Sequence, residues 1–302
     1  MSWQGKRVLV TGANGFVGSR VAVRLAEAGA QVRALVRRPG ESELLQRPGI
    51  EEMEGSFMEP QVAMDAVTGM DVVVHTAGGL GKDLDDARAL NRDGTHTMAA
   101  AALAAGVDRF IHISTGSVYA PTTDQVLTES HPLKTSGDTY GWTKAEADEE
   151  IFAFIERGLK ATILRPTAIL GFHPTSSWGF KAPNGVKNGK FRLLGDGLNS
   201  MGYIHIENLV DVVGLAVANP VAIGQAYTLV DGHTTWKAYT DEIRGWFGAP
   251  ELAAVPFDQI PAGAYWQGEF SNAKLKADLG YEPRLSYADG MAEAETWWKA
   301  QS

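Results

Sequence analysis

Short apolar runs alternate with stretches of helical spacing along the first half of the chain. Val8-Leu9-Val10 ends in a glycine-rich turn, after which apolar side chains recur at helical spacing over 17–28. Gly29 ends this stretch, and the apolar run 31–36 follows. The pattern predicts a strand, a turn, a helix and a second strand. The same alternation predicts later strands at 71–74, 109–113 and 161–164 and helices at 95–105 and near 140–157.

The predicted strands are almost continuously apolar, which is typical of strands buried on both faces. Such strands, alternating with helices, form a parallel sheet with helices on both sides. We therefore predict an α/β fold, with a Rossmann-type doubly wound parallel sheet over residues 1–170.

The composition and the hydrophobic periodicity of the sequence change after residue 170. Residues 171–202 are rich in Gly, Pro, Asn, Lys and Trp and show weak periodicity, which predicts loops over a site. We assign residues 171–302 to a smaller C-terminal lobe. Segments within about 203–230, with a predicted helix at 210–218 and a predicted strand at 225–230, are expected to return to the first domain.

Composition narrows the class of protein. The chain has 302 residues, with 27 Lys and Arg against 36 Asp and Glu, so its formal net charge is −9. We expect no nucleic-acid partner, because phosphate binding needs clustered cations. The absence of cysteine excludes disulfides, thiolate catalysis and Cys-ligated zinc. No apolar run reaches the roughly 18 residues of a membrane span, so we predict a cytoplasmic protein without a membrane partner.

The glycine-rich turn is the first candidate binding site. Gly12, Gly15 and Gly18 follow the first predicted strand at the spacing G-x-x-G-x-x-G and open the first predicted helix. Glycine permits a sharp turn and a close approach of a pyrophosphate, and the helix start supplies unpaired amides. A merely tight strand-to-helix turn is the alternative. The order of strand, turn and helix favours a dinucleotide site.

The end of the second predicted strand bears on which dinucleotide binds. NAD sites usually carry Asp or Glu about 20 residues after the glycines, where it accepts the ribose hydroxyls. This strand instead ends in Val36-Arg37-Arg38-Pro39. Guanidinium groups suit a 2′-phosphate, although two solvated arginines would give the same pattern. We predict NADP as the cofactor, with Arg37 and Arg38 as candidate contacts and NAD as the alternative.

Candidate acid–base chemistry lies on the predicted helix near 140–157. Tyr140 and Lys144 are four residues apart, so both side chains lie on one face of a helix. A nearby ammonium favours the phenolate and lowers the pKa of a tyrosine. Taken alone, the pair is more typical of a helix surface. The strand at 109–113, however, runs into Ser114 and Thr115, at the strand end where open α/β sheets bind ligands.

Together these pieces resemble the extended short-chain dehydrogenase/reductase superfamily, the group of NAD(P)-dependent epimerases and dehydratases. The matching segments follow the family's order over about residues 6–171, and a later match spans 203–211. The segments are 11–18, 75–78, 91–95, 112–119, 140–144 and 164–166. The resemblance implies an NAD(P)-dependent enzyme with a Rossmann-type domain and a C-terminal substrate-binding lobe.

The resemblance also implies roles for single residues. Tyr140 would donate and accept the proton, while Lys144 would bind the nicotinamide ribose and lower the pKa of Tyr140. Thr115 would hydrogen-bond the reacting oxygen, with its neighbour Ser114 as the alternative. Asn91 would support the local structure or a proton relay. Hydride would pass between the nicotinamide and a carbonyl carbon.

The expected cofactor contacts come from the glycine turn, the ends of later strands and the catalytic pair. Backbone groups at 76–78 would contact the cofactor, and residues 166 and 169 would lie near its carboxamide. The expected set is Gly12, Asn14, Gly15, Phe16, Val17, Gly18, Arg37, Arg38, Phe57, Thr76, Ala77, Gly78, Tyr140, Lys144, Pro166 and Ile169.

Departures from the family pattern concern the substrate. Gly116-Ser117 follow Thr115 where 4,6-dehydratases have Asp-Glu, and Ala168 stands where nucleotide-sugar enzymes have Asn. Met201-Gly202 stand where those enzymes have an Arg. The loss of an amide and a cation argues against a diphosphate ligand. The chain is more similar to the branch of dihydroflavonol reductases and 3β-hydroxysteroid dehydrogenases.

We therefore expect an NADP(H)-preferring oxidoreductase that interconverts a carbonyl and a primary or secondary alcohol on a fairly apolar small molecule. Expected pocket residues are Thr115, Trp142, Phe172, Trp178, Phe180 and Trp266, although aromatic residues serve equally well in packing. One alternative is an NAD-dependent nucleotide-sugar epimerase. A second is a non-catalytic dinucleotide-binding regulator, against which the Tyr–Lys pair argues.

Other features complete these expectations. His173, His205 and His233 lack a metal-ligand spacing, so no metal is expected. The resemblance implies a homodimer as an option. The last tryptophan pair, Trp297-Trp298, is expected to dock the final helix on the second lobe.

Overall fold

The computed structural model describes residues 3–261 and 264–301 of the chain. Its strands are β1 (Arg7–Thr11), β2 (Gln31–Val36), β3 (Ile50–Glu54), β4 (Val72–His75), β5 (Arg109–Ile113), β6 (Val126–Leu127), β7 (Ala161–Pro166), β8 (Ala168–Leu170), β9 (Leu193–Leu194), β10 (Ser200–His205), β11 (Ala226–Leu229), β12 (Gly232–Thr235), β13 (Ala254–Val255) and β14 (Glu269–Phe270). Its α-helices are α1 (Phe16–Glu27), α2 (Pro60–Val67), α3 (Leu84–Arg88), α4 (Gly94–Ala105), α5 (Thr139–Glu156), α6 (Ala182–Lys187), α7 (Ile206–Ala218), α8 (Trp236–Phe247), α9 (Ala273–Leu279) and α10 (Tyr287–Ala300).

Seven parallel strands form the main sheet, in the order β11-β7-β5-β4-β1-β2-β3. Strands β1, β4 and β5 lie inside this sheet and are almost wholly buried, which explains their continuous apolar runs. The chain starts near the middle and winds outward in both directions. The fold is thus the predicted Rossmann-type doubly wound sheet, and its carboxyl strand ends form one edge where ligands bind.

Helices cover both faces of this sheet with separate apolar cores. One core joins the sheet to α1, α7 and α9, and the other joins it to α2, α4 and α5. Both α7 and β11 therefore pack in the first lobe, although they follow much of the second lobe in sequence. Their return brings the C-terminal half of the chain next to the carboxyl strand ends.

The second lobe is built on a smaller sheet. Strand β10 pairs in parallel with β8 and antiparallel with β12, and α6, α8 and α10 pack against them around a third apolar core. On α10, the Trp297 ring stacks on Phe172 at 3.9 Å and the Trp298 ring stacks on Phe180 at 5.3 Å. These stacked rings hold the last helix on this lobe.

Two regions differ from the predicted pattern. Strand β3 is an edge strand with exposed Glu51 and Glu54, so it has no apolar run. Residues 171–202, predicted to be loops, contain a π-helical turn at Ser177–Lys181 and helix α6. The side chain of Ser176 accepts the amide of Gly179 and starts this turn, a cap that apolar periodicity does not reveal.

Candidate active site

A cavity of about 1340 Å³ opens at the carboxyl ends of the main-sheet strands and extends under the second lobe. It collects residues from segments far apart in sequence. Among the predicted site residues, its lining includes Gly12, Asn14, Gly15, Phe16, Val17, Gly18, Arg37, Phe57, Thr76, Ala77, Gly78, Ser114, Thr115, Tyr140, Lys144, Pro166, Ile169 and Trp178. The lining does not include Arg38, Asn91, Trp142, Phe172 or Phe180.

The glycine turn forms one wall of the cavity. Gly12 has φ +66°, and a Cβ there would lie 2.9 Å from the backbone of Ala77. A Cβ on Gly18 would lie 2.3 Å from the carbonyl oxygen of Gly12. The turn packs directly on α1 and on the segment after β4. Backbone atoms there leave no room for a side chain at Gly12 or Gly18. The result is a cradle without side chains, which allows a pyrophosphate to approach the start of α1.

Replacing Gly18 with Ala tests this cradle. We expect the unfolding free energy to fall by about 1–3 kcal/mol and dinucleotide affinity to fall about tenfold, because the new methyl collides with a backbone oxygen. Gly245→Ala is the matched control, since a Cβ there meets nothing within 4 Å. Calorimetric titration and thermal unfolding measure both variants. Normal dinucleotide binding by Gly18→Ala would contradict the assignment.

One hydrogen bond and one unpartnered polar atom at the start of α1 have no signal in the sequence. The amide of Phe16, an expected cofactor contact, donates to Thr175 Oγ1 at 3.0 Å. The amide oxygen of Asn14 is buried without a hydrogen-bond partner among the described residues. Thr175 lies in the segment predicted as loop, and no motif marks it. An unpartnered buried acceptor beside the cradle fits a ligand with hydroxyl groups, such as a dinucleotide ribose.

The two arginines that follow β2 lie differently with respect to the cavity. Arg37 is exposed and lines the cavity. Arg38 does not line it, and its guanidinium pairs with Glu41 at 2.9 Å (Nε to Oε1). Glu41 lines the cavity as well and was not expected there. Of the two predicted phosphate contacts, Arg37 is thus the one that lines the cavity.

Tyr140 lies in the first turn of α5. The carboxylate of Asp138 accepts the amide of Gly141 at 2.7 Å and starts this helix. The hydroxyl of Thr115, at the end of β5, forms a hydrogen bond with the phenol of Tyr140. Burial raises the pKa of Tyr140 above its ordinary value, and the Thr115 hydrogen bond only partly opposes this. The phenol therefore carries its proton at neutral pH.

Lys144 lies one turn further along α5 and is 3% exposed. Its Nζ donates to the carbonyl oxygen of Ile113 at 2.9 Å and lies 3.4 Å from Nε2 of His112. Burial lowers the pKa of Lys144 to about 8, against the opposing charge of Asp148. The predicted lowering of the Tyr140 pKa by Lys144 stays a prediction; the direction of that pKa follows from burial of the phenol, which raises it.

A chain of buried polar groups lies behind Lys144. His112 Nε2 is 3.5 Å from Asp148, and Asp148 accepts from Arg165 Nε at 2.9 Å. Burial lowers the pKa of His112 well below its ordinary value, so its imidazole is neutral. Arg165 also donates to the phenol oxygen of Tyr119 at 3.2 Å. The sequence marks Arg165 only as part of the matching segment 164–166, whereas the structure pairs it with Asp148 on α5, the helix that carries Tyr140 and Lys144.

Asn91 and Ser114 differ in their hydrogen bonds and in their position relative to the cavity. The buried amide of Asn91 bonds both backbone groups of Gly79 and the hydroxyl of Thr143, so it supports local structure and does not face the cavity. The Ser114 hydroxyl is buried, lines the cavity and has no hydrogen-bond partner among the described residues. It is available to a ligand beside Thr115.

Three of the expected pocket aromatics are packing residues. The guanidinium of Arg88 covers the Trp142 ring at 4.7 Å, and Phe172 and Phe180 stack on α10. Trp178 does line the cavity. Trp266, also expected in the pocket, lines the cavity as well, and Trp236 and Phe270 are further aromatic residues there that were not expected. Five of the eight tryptophans lie after residue 230, and this cluster was the available signal for Trp236.

The described residues were also searched for a metal site and for a membrane-spanning helix. They contain no group of three or more His, Asp or Glu side chains able to hold a metal ion. His205 instead caps α7 by accepting the amide of Glu207, and His233 accepts the amide of Phe270. Within residues 3–261 and 264–301, no helix has both the length and the apolar character of a membrane span.

Comparisons with known proteins define the class. The model of the NAD dependent epimerase/dehydratase family matches residues 8–229. A 2-alkyl-3-oxoalkanoate reductase of Stenotrophomonas maltophilia is 28% identical and covers 94% of this chain and 97% of its own. A 3-beta-hydroxysteroid dehydrogenase of Mycolicibacterium neoaurum is 28% identical over 95% and 90%. The solved structure of DesIV, a dTDP-glucose 4,6-dehydratase of Streptomyces venezuelae with NAD and TYD bound, is 26% identical, with a TM-score of 0.82 over 97% of both chains.

The chain belongs to the NAD-dependent epimerase/dehydratase family, because the family model covers well over half of it. The resemblance inferred from the motifs is thereby confirmed. With relatives named as reductase and dehydrogenase, the chain is an NAD(P)-dependent oxidoreductase.

Proposed function

We propose that this enzyme interconverts a carbonyl and an alcohol on a fairly apolar small molecule, with NADP(H) as preferred cofactor and Tyr140, Lys144 and Thr115 as catalytic residues. The observation that carries the proposal is the meeting of a protonated phenol, two hydroxyls and a buried amine in one cavity with the glycine cradle.

Each group of this cavity has a chemical task in the proposal. Tyr140 donates its proton to the carbonyl oxygen during reduction, which suits a phenol whose pKa is raised. Thr115 orients the phenol and the reacting oxygen, and Ser114 adds a second hydroxyl. Lys144 would bind the ribose of the dinucleotide through its Nζ. The bound cofactor supplies or accepts the hydride.

The lining supports an apolar substrate. Trp178, Trp236, Trp266, Phe270 and Met201 form much of the cavity under the second lobe. Aromatic and thioether side chains favour apolar ligands, and they offer few hydrogen-bond partners to the hydroxyl groups of a sugar. The relatives named as an oxoalkanoate reductase and a hydroxysteroid dehydrogenase act, by name, on molecules with a large apolar part.

The cofactor preference is tested at Arg37. We expect Arg37→Ala to weaken NADPH binding about tenfold and NADH binding less than about twofold, because only the 2′-phosphate loses a charge-assisted hydrogen bond. Arg38→Ala is the matched control, since Arg38 carries the same charge at the end of β2 but does not line the cavity. Titration of each variant with both reduced cofactors gives the affinities. Equal loss for both cofactors would refute the phosphate contact.

A further inference from the structure

We infer that Phe270 is a specificity-determining residue, whose ring limits the size of the substrate group that lies beside Thr115 and so decides which face of a prochiral ketone is reduced. The inference rests on the proposed function and adds how the cavity selects and orients its substrate. The close contacts of the Phe270 ring with two glycines of the cavity wall carry it, together with the contacts that fix this ring in place.

The Phe270 ring lies next to the residue that follows Thr115. A Cβ on Gly116 would lie 3.5 Å from Cε1 of this ring, which is an ordinary van der Waals contact. A Cβ on Gly202, on β10, would lie only 2.9 Å from Cδ2 of the same ring. Phe270, Gly116 and Gly202 all line the cavity. The ring therefore fills the space beside both glycines, one residue away from the hydroxyl that bonds Tyr140.

Thr167 closes the same corner of the cavity from a third segment, between β7 and β8. Its Cγ2 methyl would lie 3.5 Å from a Cβ on Gly116 and 3.1 Å from a Cβ on Gly202. Its hydroxyl donates to the carbonyl oxygen of Leu229 at 3.0 Å and is thereby satisfied. A methyl, an aromatic ring and two glycines thus wall this corner, which is apolar and takes its size from Phe270.

The Phe270 ring is held from several sides. Its backbone amide donates to Nε2 of His233 at 2.9 Å, and the two rings lie within 4° of parallel. Strand β14 pairs with β6, where the amide of Ser271 donates to the carbonyl oxygen of Leu127 at 2.8 Å. The Trp266 ring packs edge-on against the Phe270 ring at 5.1 Å. A side chain packed in this way moves aside only at a cost, so the ring limits the corner.

This corner has a stereochemical consequence. In the proposed reaction the ketone oxygen lies at Tyr140 and Thr115, and the dinucleotide lies on the side of the glycine cradle. With both directions fixed, one substituent of the ketone enters the corner at Phe270 and the other extends under the second lobe. The smaller substituent fits the corner, so one face of the ketone is presented for hydride transfer. Exchange of the two substituents would give the opposite enantiomer of the alcohol.

The test compares acetophenone with valerophenone, aryl ketones that carry a methyl and a butyl group. We expect the wild type to form one enantiomer of 1-phenylethanol in excess and to show a kcat/KM at least about tenfold lower for valerophenone. Phe270→Ala should raise kcat/KM for valerophenone about tenfold and change that for acetophenone less than about threefold. The enantiomeric ratio from acetophenone should fall about tenfold, because the phenyl ring then also fits the corner. Phe257→Ala, at an exposed phenylalanine outside the lining, should change none of these values.

Gly202→Ala narrows the corner instead of opening it. The added methyl meets the fixed Phe270 ring at 2.9 Å, so kcat/KM for acetophenone should fall about tenfold. Most of this loss should disappear in the double variant Gly202→Ala with Phe270→Ala, because the ring that the methyl meets is then absent. A merely structural role of Phe270 predicts two losses that add.

A binding measurement separates the role of Phe270 from the proposed function. Titration of the NADPH-loaded enzyme with the product alcohols forms complexes that cannot turn over. Phe270→Ala should tighten binding of 1-phenylpentanol about tenfold and change that of 1-phenylethanol less than about threefold. Unchanged binding of 1-phenylpentanol, a racemic alcohol from the wild type, or additive losses in the double variant would overturn the role of Phe270 and leave the proposed reductase intact. Failure of the wild type to reduce these ketones or a series of apolar aldehydes would refute the proposed function, whereas the binding of the two alcohols would still decide the role of Phe270.

Discussion

Replacing Tyr140 with Phe is expected to lower kcat for carbonyl reduction by about 10²- to 10⁴-fold, the range typical of a lost general acid. The phenol hydroxyl is the only part removed, and the ring keeps its packing at the start of α5. Dinucleotide affinity should therefore change less than about threefold, since the cradle of Gly12 and Gly18 is untouched. Steady-state rates with a reduced dinucleotide, together with calorimetric titration, measure the two effects.

A matched tyrosine makes this experiment specific. Tyr203→Phe removes a phenol hydroxyl on β10, outside the cavity lining, and should leave kcat unchanged. The pH profile adds a second criterion. Because the pKa of Tyr140 is raised by burial, the proton-donating form persists through neutral pH, and reduction should slow only at alkaline pH. Activity retained by Tyr140→Phe would remove the acid–base role from this residue.

Lys144→Met separates activity from stability. We expect kcat to fall about 10²-fold, because the ammonium that we propose to hold the ribose beside Tyr140 is lost. We also expect the variant to be more stable at pH 7 by about 2 kcal/mol, because burial of the ammonium is unfavourable and methionine fills similar space. The loss of the hydrogen bond to the Ile113 carbonyl offsets part of the gain.

The pH dependence of unfolding shows whether the stability gain of Lys144→Met comes from the buried ammonium. The pKa of Lys144 is about 8 in the folded protein and 10.5 in its ordinary state, so between these values the unfolded chain binds more protons. Stability contributed by this group therefore rises with pH from about 8 to 10.5 and is lowest below 8. Lys144→Met should remove that slope, whereas Lys160→Met, at an exposed position, should keep it. Denaturant unfolding at pH 7 and pH 10 measures both, and an unchanged slope in Lys144→Met would disprove the attribution.

The elements of the first lobe could be predicted closely from the sequence. The predicted strands 31–36 and 109–113 coincide with β2 and β5. Buried parallel strands and a glycine turn leave local signals, namely continuous apolar runs and residues without side chains. Strand β3 and helix α6 leave weaker signals, because an exposed edge carries glutamates and a short helix depends on its cap.

The candidate site could be predicted only in part. The motif positions of Tyr140, Thr115, Lys144 and the glycines lie around one cavity, since strand ends and helix starts converge there. The pocket walls could not be read in the same way. Phe172 and Trp178 both lie in the weakly periodic segment 171–202. Phe172 nevertheless stacks on α10, whereas Trp178 lines the cavity.

The order of strands, turn and helices, and the phenol and amine at helical spacing, can be read from the local sequence, because they depend on neighbours a few residues away. The tertiary structure sets which aromatic rings line the cavity, that Thr175 contacts the start of α1, and that His112 and Asp148 lie beside Lys144. It also decided the direction of the Tyr140 pKa. Desolvation and contacts between distant segments set all of these, and neither has a local signature in the chain.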